Sequence, residues 1–452
     1  MNTSFFGELL SSITEQGRAL IGPRLNRSGD MPLIDLCEAL LSGRGEASGV
    51  ALAGEILAGY AALSAEQRLT FFQALLARFG PDLDAVQTAL AACQNAPEDQ
   101  ALVRQLHAAT EPKRQELIRR INLAPGGTRA LVDMRSDLLG LLPDHPDLRE
   151  VDRDFERLFS FWFNRGFLVM KRIDWSTPAA ILEKIIDYEA VHEIEGWADL
   201  RRRIGLEDRR LYAFFHPALV DDLLIFVEVA LTRDIPAAIG PILAEERAEL
   251  RAQEATTAVF YSISNCQVGL RGISFGNFLI KQVVEELRRE LPGLRTFVTL
   301  SPVPGFARWL RADLASEPSV SGELLGPELQ DALEDGRWLD EPDLQKQMEA
   351  ALVPLCAHYL LREKGRNGRP LDPVARFHIG NGARLERINW RGDLSANGMT
   401  QAQGFLVNYL YDLRYIERNH EAFAATGEVA ASSAVGKLAK GVKEPPKTVL
   451  PV

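Results

Sequence analysis

The sequence predicts an α+β protein: an all-helical first part, then a mixed-sheet α/β domain. Two observations carry this. From residue 5 to about 163 the apolar residues recur at three and four positions, which lays them along one face of a helix. After Asn164 short apolar and aromatic runs of strand length take over, with helical stretches between them. The predicted divisions are 1–163, all helical; 164–425, mixed sheet and helix; and 426–452, a flexible tail rich in Ala, Ser, Lys and Pro.

In the first part the run Phe71, Phe72, Leu75, Leu76, Phe79 marks one helix face. Ser64 with Gln67 three residues later is a capping-box start, and Gly80-Pro81 and Gly126-Gly127 are breaks. His107 and His145 stand alone and read as surface or capping residues. A helical part of this size without a visible site is expected to supply an oligomer interface.

In the second part Gly166–Met170 and Leu211–Phe215 read as strands, 177–192 and 196–204 as helices, and Leu223–Val229 as a hairpin partner. Thr257–Ser264 is a further strand, Gly276–Arg289 a helix with apolar spacing at Phe278, Leu279, Val283 and Leu287, and Thr296–Leu300 another strand. The segment 312–370 reads as a helical insertion forming a lid or wall.

Composition narrows the function. At 452 residues, 46% hydrophobic and 25% charged, the chain can bury more than one core. Asp and Glu outnumber Lys and Arg by 62 to 51, which argues against a nucleic-acid-binding surface. Cys37, Cys93, Cys266 and Cys356 form no C-x-x-C pair, so neither a disulfide framework nor a zinc site is expected, and a reducing cytosol fits. No apolar run approaches the roughly 20 residues that span a bilayer. Leu450-Pro451-Val452 is no peroxisomal address and the first residues are no Arg-rich presequence, so a cytoplasmic protein is expected.

The stretch Gln267–Asn277 joins a strand to a helix and carries Gly269, Gly272 and Gly276. Glycines let the backbone approach an anion, and the helix start behind them offers N–H groups to a pyrophosphate such as that of CoA. Alone, such a turn is more often only a tight turn.

The order strand, helix, helix, strand, strand, strand, turn, helix, strand is similar to the GNAT acetyltransferase fold, whose turn at this point cradles the CoA pyrophosphate. Ala375-Arg376-Phe377-His378-Ile379-Gly380 resembles that fold's segment near the CoA sulfur, with His378 where a tyrosine is usual. The resemblance sharpens with four motifs in order: Gly269-Leu270-Arg271-Gly272, Leu300-Ser301-Pro302-Val303-Pro304-Gly305-Phe306, Phe377-His378-Ile379-Gly380-Asn381-Gly382-Ala383 and Arg387-Ile388-Asn389-Trp390. Together they resemble the malonyl-CoA decarboxylase family.

That resemblance implies Ser301 and His378 as a catalytic pair and Tyr411, in Asn408-Tyr409-Leu410-Tyr411, close to the thioester. It implies substrate contacts from Gly269, Arg271, Gly272, Ile273, Ser274, Phe275, Gly276, Asn277 and Asn381. Ser274 departs from the glutamate of animal members, so a carboxylate is not essential there. The implied reaction takes malonyl-CoA to acetyl-CoA and carbon dioxide without metal or organic cofactor, in a homotetramer serving fatty acid metabolism.

The residue types fit that chemistry. Loss of carbon dioxide from a malonyl thioester leaves a carbanion that the thioester carbonyl absorbs as an enolate, so the protein need only stabilise the oxygen and supply a proton. Read without the resemblance, Ser301 begins a turn and His378 is a core or capping histidine. His216, His358 and His420 keep that structural reading. Lys281, Arg288 and Arg289 are either contacts to the 3′-phosphate or solvated charges. Two other functions share the fold: an acyltransferase, and a CoA-sensing interaction protein without a reaction.

Overall fold

A computed structural model describes residues 32–42, 45–219, 221–273, 279–366 and 368–442, with Arg165 described in its backbone only. The chain divides into two compact units. One comprises 1–169, 215–224 and 266–276, the other 170–214, 225–265 and 277–452.

The first unit is helical, as expected. Its helices are Leu33–Leu41, Glu46–Ala61, Ala65–Arg78, Leu83–Asn95, Gln100–Thr110, Lys113–Ile121, Gly127–Leu141 and Arg149–Trp162. The capping box at Ser64 is formed: its Oγ accepts from Gln67 N at 3.3 Å, and Gln67 Oε1 accepts from Ser64 N at 2.9 Å. Phe71, Phe72, Leu75 and Phe79 are buried, and Phe71 and Phe72 pack edge-to-face with Tyr60. Gly126 has φ +71°, the left-handed region that glycine enters without cost, and directly starts the next helix. His107 is exposed, and His216 accounts for itself by pairing Nε2 with Trp162 O at 3.0 Å and lying against Phe163.

The second unit is built on a sheet. Its strands are β1 (Val169–Ile173), β2 (Arg209–Phe215), β3 (Leu223–Thr232), β4 (Thr257–Asn265), β5 (Thr296–Thr299), β6 (Ser301–Pro302), β7 (Arg384–Asn389) and β8 (Leu406–Leu410). Helices Ala179–Tyr188 and Trp197–Ile204 separate β1 from β2, and helix Leu279–Glu290 separates β4 from β5. This is the order of elements expected from the sequence. The strands run β1-β2-β3-β4-β5-β8-β6, with β7 also pairing β8. β2 and most of β3 are buried, which explains why they read as continuous apolar runs rather than alternations.

Two irregularities shape the middle of the sheet. β4 and β5 are parallel over only four pairs, from Thr257↔Thr296 to Phe260↔Thr299, after which β4 continues to Asn265 without its neighbour. The chain after β5 turns instead to β8, where Ser301 pairs Val407. β4 also bulges: its register with β3 passes from Glu228↔Ser262 to Val229↔Phe260, leaving Tyr261 extra. The strands part where this extra residue lies.

The insertion is helical, with Phe306–Leu314, Val320–Leu324, Pro327–Asp335 and Pro342–Leu361. Its last helix buries Met348, Leu352, Leu355 and Cys356, so it is a wall of the core. The flexible tail does not hold for 429–442. Leu385 N donates to Ala430 O and Ser432 N donates to Leu385 O, both at 2.9 Å, and helix Ser433–Lys440 follows with Val435 and Ala439 buried. Small residues let this helix pack closely, and a reading that looked for large apolar side chains missed it. Residues 443–452 lie outside the described residues.

Candidate active site

Thr299 and Ser301 are two residues apart where β5 gives way to β6, and Tyr409 and Tyr411 are two apart at the end of β8, so each pair points to one side. His378 lies in the last turn of helix Pro373–Gly380, whose start is fixed by the Asp372 cap and by Pro373 in its first turn. The fold brings them together as a chain of hydrogen bonds. Tyr411 Oη lies 2.8 Å from His378 Nδ1, His378 Nε2 lies 3.2 Å from Ser301 Oγ, and Ser301 Oγ donates to Thr299 Oγ1 at 2.8 Å. With Ser301 donating to Thr299, the consistent tautomer carries its proton on Nε2, donates it to Ser301, and accepts the Tyr411 hydroxyl at Nδ1.

The surroundings hold these groups neutral. His378 is buried, and burial pushes its imidazole down to about 3. Burial likewise drives the Tyr411 and Tyr409 phenols well above their ordinary value. The Tyr409 ring stacks on His378 with centroids 4.6 Å apart, and Phe377 meets it edge-on. Tyr409 N also donates to Thr299 Oγ1 at 3.1 Å, which ties β8 to the chain.

Ser301 and His378 face a cavity of about 270 Å³ where β4 and β5 part. Ile225, Val227, Phe260, Ile263 and Phe377 give it mostly apolar walls. Among the described residues no group of three or more His, Cys, Asp or Glu side chains is arranged to hold a metal.

The chain has clear matches among known proteins. Residues 166–449 match the malonyl-CoA decarboxylase C-terminal domain, and 79–163 match the malonyl-CoA decarboxylase N-terminal domain. The chain belongs to the malonyl-CoA decarboxylase family. Its enzyme class is therefore that of a carboxy-lyase. The mitochondrial malonyl-CoA decarboxylase of Anser anser anser is 40% identical over 72% of this chain and 69% of its own length. The crystal structure of malonyl-CoA decarboxylase from Rhodopseudomonas palustris is similar with a TM-score of 0.86 at 58% identity, covering 90% of this chain and 98% of that one. That from Agrobacterium vitis has a TM-score of 0.84 at 56% identity, covering 90% and 99%.

Not every residue expected from the family motifs lies where its assigned role needs it. Gly269 belongs to the helical unit, and there a Cβ would overlap the carbonyl oxygen of Val132; its glycine serves close packing. Arg135, itself buried, donates to Gly269 O at 2.8 Å and Arg271 O at 2.9 Å and is held by Asp152 at 2.8 Å. The amides of Leu270, Arg271 and Ile273 donate within the turn, so they are not free for an anion. Gly272 is exposed with φ +83°, Arg271 is exposed, and Ile273 is buried. Ser274, Phe275, Gly276 and Asn277 lie outside the described residues.

Asn381 is spent on the helix that bears His378. Its Nδ2 donates to Phe377 O at 2.7 Å and its backbone N to Phe377 O at 3.0 Å, so it ends that helix. Lys281 pairs with Glu417, while Arg288 and Arg289 pair with Glu285 and Glu286 three residues back, the arrangement of solvated helix charges. His358 and His420 are structural, paired with Glu363 and with Gly380 O. Thr299 and Tyr409 were missed by reading motifs; the two-residue spacing to Ser301 and to Tyr411 along a strand was the available signal.

Proposed function

We propose that this protein converts malonyl-CoA to acetyl-CoA and carbon dioxide in the cavity that holds Ser301 and His378. The observation that supports it most is the unbroken chain Tyr411–His378–Ser301–Thr299 at the wall of a largely apolar cavity, in a chain of this family. The bond from Cα to the carboxylate breaks, its electrons pass into the thioester carbonyl, and carbon dioxide leaves uncharged. Walls such as Ile225, Val227 and Phe260 disfavour the carboxylate and tolerate its neutral product. The enolate oxygen takes a hydrogen bond from the Ser301/His378 pair, and the pair passes a proton to the new methyl group and regains one from water. The substrate's own carbonyl is the electron sink, so the chemistry calls for no metal or organic cofactor.

For the rest of CoA we propose the turn from Arg271 through Gly272 and Ile273 to Ser274, Phe275, Gly276 and Asn277, supported by its exposed Gly272 and Arg271. We further propose a cytoplasmic homotetramer acting in fatty acid metabolism. Four free cysteines fit a reducing compartment, and Leu83, Leu90 and Val103 stand exposed on two neighbouring helices of the helical unit as an apolar face for self-association.

Purified protein incubated with malonyl-CoA alone should yield acetyl-CoA by mass spectrometry. An intact thioester would overturn the reading. Consumption only when an amine or carrier protein is added would favour an acyltransferase. Light scattering on the full chain should give four times the chain mass.

A further inference from the structure

We infer that Asp372 is a positioning residue that ties the loop behind Ser301 to the helix bearing His378, and so sets the distance between the two. This rests on the Ser301/His378 reading above. Asp372 is fully buried, and its carboxylate lies against two distant stretches of the chain. Ala375 N donates to Oδ1 at 2.8 Å and Val374 N also faces the carboxylate; both belong to the first turn of helix Pro373–Gly380. The second stretch is that of Gly305, four residues after Ser301 in Ser301-Pro302-Val303-Pro304-Gly305, where a Cβ would stand 3.6 Å from Asp372 Oδ2.

Neither connection has much slack. Pro302 and Pro304 fix two of the backbone dihedrals between Ser301 and Gly305. His378 is six residues into a capped helix, so its place follows from where that helix starts. Gly305 itself is pressed against the clamp: a Cβ there would overlap the Tyr359 hydroxyl, which in turn lies 3.5 Å from Asp372 Oδ2. Burial raises the Asp372 carboxyl while the amides of Ala375, Gly305 and Val374 draw it down. A capping Ser could serve the helix start alone. A carboxylate, with four acceptor positions, can serve both stretches.

An ordinary helix cap steadies the fold and leaves chemistry alone. A clamp shows itself in turnover, because a misplacement of about 1 Å between reacting groups costs up to about a hundredfold. The full chain carrying Asp372→Ala, Asp372→Asn, His378→Ala or Asp372→Ala with His378→Ala would be compared for kcat, KM for malonyl-CoA and melting temperature. Asp372→Ala should lower kcat about tenfold or more with KM within about twofold, and Asp372→Asn, which keeps an acceptor oxygen, should recover most of it.

The double variant should be no slower than His378→Ala, since without the imidazole there is nothing left to position. A full further loss in the double variant, or a lowered melting temperature with unchanged kcat, would overturn the positioning role. Wild-type kcat in His378→Ala would instead bring down the Ser301/His378 reading. If Asp372→Ala does not fold, Gly305→Ala pushes on the clamp from its other side. It should slow kcat about fivefold or more with KM little changed, and an unchanged kcat would overturn the inference.

Discussion

Two polar clusters lie buried in the sheet unit, and they are built on opposite plans. The chain from Tyr411 through His378 and Ser301 to Thr299 contains hydroxyls and a neutral imidazole, each matched to the next. The cluster around the β4 bulge contains full charges: Glu228, completely buried, meets Arg203 at 3.2 Å, and Arg203 also holds Asp199 at 2.9 Å. Tyr261 and His192 are buried beside them. A neutral chain can reorganise around a reacting group at little electrostatic cost. A buried ion pair is costly to disturb and therefore suited to holding shape.

The difference is sharpest in what a deletion removes. His378→Ala and Ser301→Ala should each lower the decarboxylation rate by about a hundredfold or more, the scale of a lost proton-transfer group, with little change in melting temperature. The pair together should be scarcely worse than the worse single change. Arg203→Met should do the reverse. It leaves Glu228 buried without its partner and should destabilise by about 3–5 kcal/mol in denaturant titrations while the folded fraction keeps most of its kcat. Equal loss of stability from both kinds of change would erase the distinction.

Acid sharpens the comparison because the clusters respond with opposite sign. His378 is pushed down to about 3 from 6.5, so its neutral form favours the folded state at neutral pH, and that stability is lost as pH falls through 6.5 towards 3. Glu228 is pushed up to about 7 from 4.5 by burial, against the pull of Arg203, so its contribution is present at low pH and lost as pH rises from 4.5 through 7. Between pH 7 and pH 5 a His378→Gln variant should escape about 2 kcal/mol of the wild type's acid destabilisation. An identical acid slope in the two proteins would mean that the imidazole is already solvated.

The smallest effects belong to the helix surface. Arg288→Ala and Arg289→Ala remove exposed ion pairs and should shift stability by less than about 1 kcal/mol and leave KM for malonyl-CoA nearly unchanged. A tenfold rise in KM would assign them the 3′-phosphate after all.

Motifs were legible where chemistry dictates residue type. Ser301, His378 and Tyr411 are named from three separate stretches through the family resemblance, since each residue by itself reads as turn or core, and the fold joins them. Thr299 and Tyr409 hid inside strands whose neighbours are equally β-prone, so only their two-residue spacing to Ser301 and Tyr411 marked them. Asp372 went unread because its neighbour Gly305 is 67 residues away and leaves no local trace. Gly269 misled for the same reason: its glycine answers to Val132, which lies far back in the helical part. Helix Ser433–Lys440 of the supposed tail was invisible because Ala and Val at close spacing carry a weak apolar signal.

The helical unit is discontinuous in sequence, drawing on 215–224 and 266–276 as well as on its first 169 residues, with buried Arg135 clasping the carbonyls of Gly269 and Arg271. On the ribosome, this unit cannot close when its last helix emerges near residue 162; it must wait for more than a hundred further residues. At about 5–20 residues per second that delay lasts roughly 5 to 20 seconds, during which the guanidinium and its two carboxylate partners, Asp152 and Glu156, stand without the turn they are built to grip. A nascent chain released early would leave that site open to chaperones.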